Sequence, residues 1–153
     1  ALVKACDAMN KWVSAQITYD WNGNKVVVDG DTIHEWIQVG DRDPQLDEEA
    51  VAEFVAEQAK EYVKMGYCIG VGGVVTFKNA KKLKETVAEI GLPHIVLETD
   101  CPYMAPEPHR GTRNDSRNLI YVVKTIAELT GTTPEEVEAV TWENAKKLFQ
   151  KVR

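Results

Sequence analysis

The chain has 153 residues, which is enough for one domain, or two small ones, with a buried core. Hydrophobic residues make up 44% and charged residues 27%, and the formal net charge of -6 argues against broad electrostatic binding of nucleic acid. No apolar run reaches the roughly 18 residues of a membrane span, no signal peptide is recognisable, and the three cysteines lack zinc-ligand spacing, so we expect a soluble protein expressed in the cytoplasm with reduced thiols.

The amino-terminal part combines helices with a hairpin. Asn22-Gly23-Asn24 is typical of a hairpin turn, because Asn and Gly tolerate positive φ. Asp31 is expected to cap the short helix that follows the hairpin. In chain order, the predicted elements are a helix over 2–15, strands over 17–20 and 25–28, a short helix carrying Ile33, Trp36 and Ile37 inward, and a polar loop with Asp41, Asp43 and Pro44.

The rest of the chain alternates strands and helices. Asp47 caps a long helix that Gly66 ends, since glycine accepts the left-handed C-terminal position. The elements predicted after it are strand 67–71, helix 79–90, strand 94–97, a Pro-rich loop from 101 to 115, helix 116–130, a helix capped by Thr133, and a last helix that opens at Thr141. Strand, helix and strand in this order are typical of parallel strands with a crossover helix.

The predicted fold class is therefore α/β, with an α+β amino-terminal part joined to a βα fragment of a barrel and a small sheet that includes two parallel strands packed by helices. Two segments, 1–62 and 60–153, are expected to merge into one globular unit that shares helix 47–65.

Two carboxylates follow the apolar strand at 94–97. Strand alternation predicts that Glu98 and Asp100 lie on the same side. Ligands of parallel α/β sheets bind at the carboxyl ends of strands, where a carboxylate binds a divalent metal or acts as a general base. The spacing alone equally allows that Asp100 only fixes the loop behind it.

Residues from about 60 to 152 resemble the carboxyl-terminal part of TatD-family metal-dependent deoxyribonucleases. The resemblance implies a TIM barrel, a two-metal phosphodiesterase or exonuclease activity, and Asp100 as a metal ligand. It places the loop from Pro108 to Asn114 at the substrate rim. The rim candidates are Glu98, His109, Arg110, Arg113 and Asn114. The matching strings are Gly72–Ala80, Leu97–Pro106, Pro108–Gly111, Arg113-Asn114 and Glu143–Ala145.

The family also has a His-x-His pair, a mid-barrel Glu and two further His as ligands, which this chain lacks. Its three histidines are His34 in the short helix, His94 before its strand, and His109 in the loop. A catalytic metal normally takes three or more protein ligands. We therefore assign no catalytic residue beyond the metal ligand Asp100, and expect no cofactor unless the site is completed around Mg, Mn or Zn.

Residues 1–62 resemble the peptidoglycan-binding domain found beside L,D-transpeptidase and VanW-type modules. The matching strings are Ile17–Asp20, Gly23–Ile37 and Leu46–Val55. For Trp21 and Trp36, core packing is the alternative to glycan stacking. This resemblance implies that the protein acts at the cell wall. The resemblance of residues 60–152 to a nuclease implies instead that it acts inside the cell.

The sequence thus leads to the hypothesis of an engineered chimera without independent catalytic function. The alternatives are a residual metal-dependent DNase or hydrolase activity through Asp100, and a peptidoglycan-binding module. No partner is required, nucleic acid is not favoured, and exposed strand edges allow a homodimer.

Overall fold

The computed structural model describes residues 17–21, 24–39 and 44–149. The helix predicted over 2–15 lies outside these residues. The chain divides within a long helix into two compact units, Ala1–Phe54 and Val55–Arg153. Among the described helices, none is long and apolar enough to cross a membrane.

The first unit contains two antiparallel strand pairs and a short helix. Strands β1 and β2 form the predicted hairpin, with Ile17 opposite Val28 and Trp21 opposite Asn24. The strand pair β3 and β4 was not predicted, because three-residue strands that include Pro44 show no alternation. The elements are β1 (Ile17–Trp21), β2 (Asn24–Val28), α1 (Gly30–Glu35), β3 (Ile37–Val39), β4 (Pro44–Leu46) and the start of α2 (Glu48–Lys64).

Aspartates begin both helices of this unit. The cap predicted at Asp31 is wrong, because Asp29 Oδ1 accepts from the Thr32 amide at 2.9 Å and Asp31 lies inside the first turn. Asp47 caps α2 as predicted, accepting from the Ala50 amide at 3.1 Å. The Trp36 ring packs on the Phe54 ring with centroids 5.1 Å apart, which favours core packing over glycan stacking for that tryptophan.

The second unit contains the predicted βαβ arrangement. Strands β5 and β6 are parallel, with Ile69 opposite Ile95 and Val71 opposite Leu97, and α3 connects them. The helix α2 ends before Gly66, whose φ of 88° confirms the predicted stop. The elements are β5 (Ile69–Val71), a 3-10 helix (Gly73–Thr76), α3 (Lys81–Ile90), a 3-10 helix (Leu92–His94), β6 (Ile95–Leu97), a 3-10 helix (Ser116–Asn118), α4 (Leu119–Thr130) and α5 (Pro134–Leu148).

The α/β class is confirmed for this unit, whose parallel sheet is smaller than a barrel. Helices α3, α4 and α5 bury their apolar faces with the two strands in a single core. The buried members of this core are Val71, Val75, Val87, Leu92, Ile95, Val122, Val123, Ile126, Ala127 and Val137.

One continuous helix, α5, replaces the two helices predicted after Thr133. Thr133 caps it, accepting from the Glu136 amide at 3.2 Å, and Pro134 takes the first position. Thr141 is not a cap, because its hydroxyl donates to the Val137 carbonyl oxygen at 2.7 Å within the helix. The helix is tied to the start of β6 by Asn144, whose side-chain amide donates to the carbonyl oxygens of Leu92 at 2.9 Å and Ile95 at 2.8 Å.

Candidate functional site

The carboxyl end of β6 carries the two acidic residues that the sequence singles out. The Glu98 amide still donates to the Val71 carbonyl oxygen at 3.2 Å, one residue beyond the strand. Asp100 then adopts a left-handed conformation with φ of 51°, which costs on the order of 1–3 kcal/mol in a residue other than glycine. Strand alternation therefore ends before Asp100, so it does not fix the side on which that carboxylate lies. Both side chains are exposed.

Glycines at the end of β5 leave room for the Glu98 side chain. A Cβ on Gly72 would overlap the Glu98 carboxylate, and a Cβ on Gly70 would lie 3.4 Å from Glu98 Cγ. The Gly72 backbone is extended, with φ of -123°. Glycine at this position therefore gives room to the Glu98 carboxylate in its present rotamer and is not needed for backbone freedom.

The loop after β6 is bonded to the segment after β5. The Glu107 amide donates to Thr76 Oγ1 at 2.8 Å, and the Thr76 hydroxyl donates to the Gly73 carbonyl oxygen at 2.7 Å. Ala105 and Pro106 are buried beside these bonds. The two strand ends therefore present one joined surface at the carboxyl edge of the sheet.

Asn114 lies beneath this surface and not at its rim. Asn114 is only 3% exposed to solvent. The Asn114 side-chain amide donates to the Thr99 carbonyl oxygen at 2.7 Å, and its backbone amide donates to the Pro102 carbonyl oxygen at 2.9 Å. Asn118 donates to Asn114 Oδ1 at 3.0 Å. The polar groups of Asn114 are thus used inside the protein.

The other rim candidates are exposed, and two of them have aromatic partners. His109 Nε2 lies 3.0 Å from the Tyr121 hydroxyl oxygen, with ring centroids 5.1 Å apart. The Arg110 guanidinium lies 4.3 Å from the centre of the Phe77 ring. Arg113 is exposed and forms no hydrogen bond or close ion pair with another described residue, although its charge contributes to the lowered pKa of Asp115. Arg113 is therefore the cation of this loop that is best able to meet an anionic ligand.

Asp115 and Arg117 form a paired charge next to Arg113. Asp115 accepts from Arg117 Nε at 3.0 Å and from an Arg117 Nη atom at 2.7 Å, and also from the Arg117 backbone amide at 2.9 Å. These hydrogen bonds lower the pKa of Asp115 from 3.8 to about 2. Asp115 is therefore ionised at neutral pH and starts the 3-10 helix that leads into α4.

The donor chemistry of the strand end fits a hard divalent cation, but the number of donors does not complete a site. Glu98 and Asp100 offer the carboxylate oxygens that Mg²⁺ and Mn²⁺ take. A catalytic site normally needs three or more protein ligands. No cluster of three His, Cys, Asp or Glu side chains able to hold a metal occurs within the described residues. His94 precedes β6, at the opposite end of that strand, and His34 belongs to α1 in the other unit.

The family model for TatD related DNase matches residues 53–150. The chain belongs to the TatD related DNase family. The match covers most of α2, both parallel strands, the loop after β6 and helices α3 to α5. The TatD-family resemblance inferred from the sequence is thus confirmed for the second unit.

Similar proteins of this family are metal-dependent hydrolases. The chain is 50% identical over 95 residues to the uncharacterized metal-dependent hydrolase YabD of Bacillus subtilis, covering 62% of this chain and 37% of YabD. It is 37% identical over 94 residues to the uncharacterized metal-dependent hydrolase TatD of Mycobacterium tuberculosis, covering 61% and 36%. The crystal structure of YJJV, a TatD homologue from Escherichia coli K12, matches with a TM-score of 0.57 and 31% identity, covering 61% and 36%. The chain therefore spans little more than a third of the length of these relatives.

The expectation of an engineered chimera without catalytic function is wrong. The family match and the metal-dependent hydrolases among the relatives favour a hydrolase function. The comparisons give no support to a chimera or to a peptidoglycan-binding segment. The match covers about a third of the relatives' length, so the number of metal ligands within it does not exclude a hydrolase function.

Two residues that hold the two ends of the parallel strands in place were not found from the sequence. Thr76 joins the two strand ends, but a threonine after two valines is equally typical of a strand. Asn144 had a usable pattern, since it lies at helical spacing from Val137 and Thr141, which are both buried. A polar residue on the buried face of a helix predicts a partner in the core.

Proposed function

We propose that this chain carries the carboxyl-terminal part of a metal-dependent hydrolase that cleaves phosphodiester bonds of DNA. The observation that carries the proposal is the position of Asp100, an exposed carboxylate in a left-handed turn at the carboxyl end of a parallel strand. That end of a strand is where α/β folds place their ligands. The match to the TatD related DNase family supports the choice of reaction class and of DNA as the substrate.

In this proposal Asp100 binds the metal together with ligands from outside the described residues. A divalent metal at such a site polarises the phosphoryl oxygen and makes water a better nucleophile. The Asp100 carboxylate is available for this role because it is exposed. Glu98, beside Gly72, adds a second negative charge at the same edge of the sheet.

The loop from Pro108 to Asn114 is the proposed contact for the DNA backbone. The net charge of -6 disfavours broad attraction of DNA, so the affinity has to be local. His109, Arg110 and Arg113 are exposed on the loop that follows Asp100. Arg113 forms no close ion pair with a described residue, while Asp115 is bonded to Arg117, and we assign Arg113 the phosphate contact.

The test combines turnover with metal binding. Hydrolysis of a labelled single-stranded oligonucleotide is measured with Mg²⁺ or Mn²⁺ and after chelation, for the chain itself and for Asp100→Asn. Asparagine tolerates positive φ, so this variant removes the charge and preserves the turn. Glu128→Gln, an exposed carboxylate on α4, is the control. We expect loss of hydrolysis with Asp100→Asn and with chelator, but not with Glu128→Gln.

A second measurement does not depend on turnover. Mn²⁺ at low concentration is expected to broaden the NMR signals of residues 98–101 in the chain, and to broaden them much less in Asp100→Asn. Hydrolysis that persists in Asp100→Asn, or equal broadening in both proteins, would show that Asp100 is not a metal ligand.

A further inference from the structure

We infer that Asn114 is a positioning residue that holds Asp100 in its left-handed conformation. The inference rests on the proposed function for its consequence, the alignment of Asp100 with a metal. Its structural part, the conformation of Asp100, stands independently of that function. Asn114 itself is buried and does not reach the solvent-exposed face where a ligand would bind.

The bonds of Asn114 enclose Asp100 from both sides. Its side-chain amide donates to the Thr99 carbonyl oxygen at 2.7 Å, and that carbonyl belongs to the peptide group that precedes Asp100. Its backbone amide donates to the Pro102 carbonyl oxygen at 2.9 Å, two residues after Asp100. One residue from the far end of the loop thus bonds to the peptide group that precedes Asp100 and to a carbonyl oxygen two residues after it.

Asp100 needs such support because its backbone conformation is unfavourable. The turn contains local bonds, from the Tyr103 amide to the Asp100 carbonyl oxygen at 2.9 Å and from the Cys101 amide to Thr99 Oγ1 at 3.4 Å. These bonds move with the turn, since both partners belong to it. Asn114 lies outside this turn, because it is buried at the far end of the loop, just before the 3-10 helix Ser116–Asn118.

The side chain must be an amide for this geometry. An aspartate at 114 would place a carboxylate oxygen against the Thr99 carbonyl oxygen in a buried position, so two acceptors would face each other. An alanine would leave that carbonyl without its donor. Removal of a residue that is hydrogen-bonded to a metal ligand and orients it typically lowers metal affinity by roughly 10- to 100-fold.

The test compares Asn114→Ala with Asn118→Ala. The control variant removes the bond to Asn114 Oδ1 but keeps the amide that donates to Thr99. The conformation of Asp100 is read from its three-bond amide-to-Hα coupling and its intraresidue nuclear Overhauser effect, without metal. Metal affinity is read by Mn²⁺ titration of the same signals. We expect Asn114→Ala to move Asp100 out of the left-handed region and to weaken Mn²⁺ binding roughly 10- to 100-fold, with changes of less than about threefold for Asn118→Ala.

The outcomes separate this inference from the proposed function. If Asn114→Ala keeps the left-handed conformation of Asp100, the inference fails, whatever the metal does. If the conformation is lost but Asp100→Asn leaves Mn²⁺ binding unchanged, the positioning of Asp100 stands and its metal role fails. If Asn114→Ala does not fold, the unsubstituted chain decides: contacts between the Asn114 side-chain amide protons and Thr99, with slow amide exchange, support the inference, and rapid exchange without such contacts overturns it.

Discussion

Gly73 and the carbonyl oxygen of Met104 lie so close together that a Cβ on Gly73 would overlap that oxygen. Pro106 N would lie 3.1 Å from the same Cβ, so the neighbours are backbone atoms of the loop after β6. Backbone atoms held by the bond from Glu107 to Thr76 cannot rotate away as a side chain can. The contact explains why the two strand ends approach closely.

Gly73→Ala is expected to destabilise the protein by about 1–3 kcal/mol, as overpacking of a filled site does. Urea unfolding at neutral pH measures the change. Gly72→Ala is the matched control, since the atoms it would meet first belong to the mobile carboxylate of Glu98 and can swing aside. Equal losses in the two variants would contradict the close contact between Gly73 and the loop.

Asn144→Ala is expected to lower the free energy of unfolding by about 2–4 kcal/mol. The substitution leaves the carbonyl oxygens of Leu92 and Ile95 without their donor in the core, and each unsatisfied buried group costs about 1–3 kcal/mol. Thermal and urea unfolding measure the loss. Trp142→Ala on the exposed face of α5 is the comparison, and a similar loss there would argue against a special role of the amide.

Asp115→Asn is expected to change how stability depends on pH. The pKa of Asp115 is lowered to about 2 in the folded protein, so the folded state binds fewer protons than the unfolded state. The stabilisation is therefore complete above the ordinary pKa of 3.8 and is lost as the pH falls through about 2. The difference in unfolding midpoint between the two proteins should be constant above pH 3.8 and shrink below it. A difference that stays constant down to pH 2, or a carboxyl titration near 3.8, would contradict the ion pair.

Arg113→Ala is expected to raise the KM for a DNA substrate with little change in kcat, because it removes a phosphate contact and not a reacting group. In a plot of log affinity against log salt concentration, the slope should become less steep by about one unit. Arg117→Ala is the matched control, since the Arg117 guanidinium is already paired with Asp115. If both variants behave alike, the phosphate contact is not assigned to Arg113.

Local patterns predicted much of the fold. Turn and cap chemistry located the β1–β2 hairpin, the start of α2 at Asp47 and its end before Gly66, because these depend on a few neighbouring residues. The break predicted at Thr141 was wrong, since a threonine hydroxyl can also bond to the preceding turn of its own helix.

The place of the two carboxylates after β6 was predictable from the sequence, but their surroundings were not. A carboxylate after an apolar strand indicated the location of Asp100. The burial of Asn114 depends on how the loop from 101 to 115 returns to the strand, and no local pattern records that path. The family motif includes this residue without indicating its depth, so the sequence predicts it at the rim.

The sheet of β5 and β6 has a consequence for self-association. Within the described residues each strand pairs only with the other, and each is three residues long. Fibril formation by strand stacking typically involves segments of about six residues. The exposed edge of this sheet is therefore too short to pair non-specifically with strands of other molecules. Any strand that does add here gains little from the backbone, and it must be selected by how its side chains fit beside Val71 and Leu97.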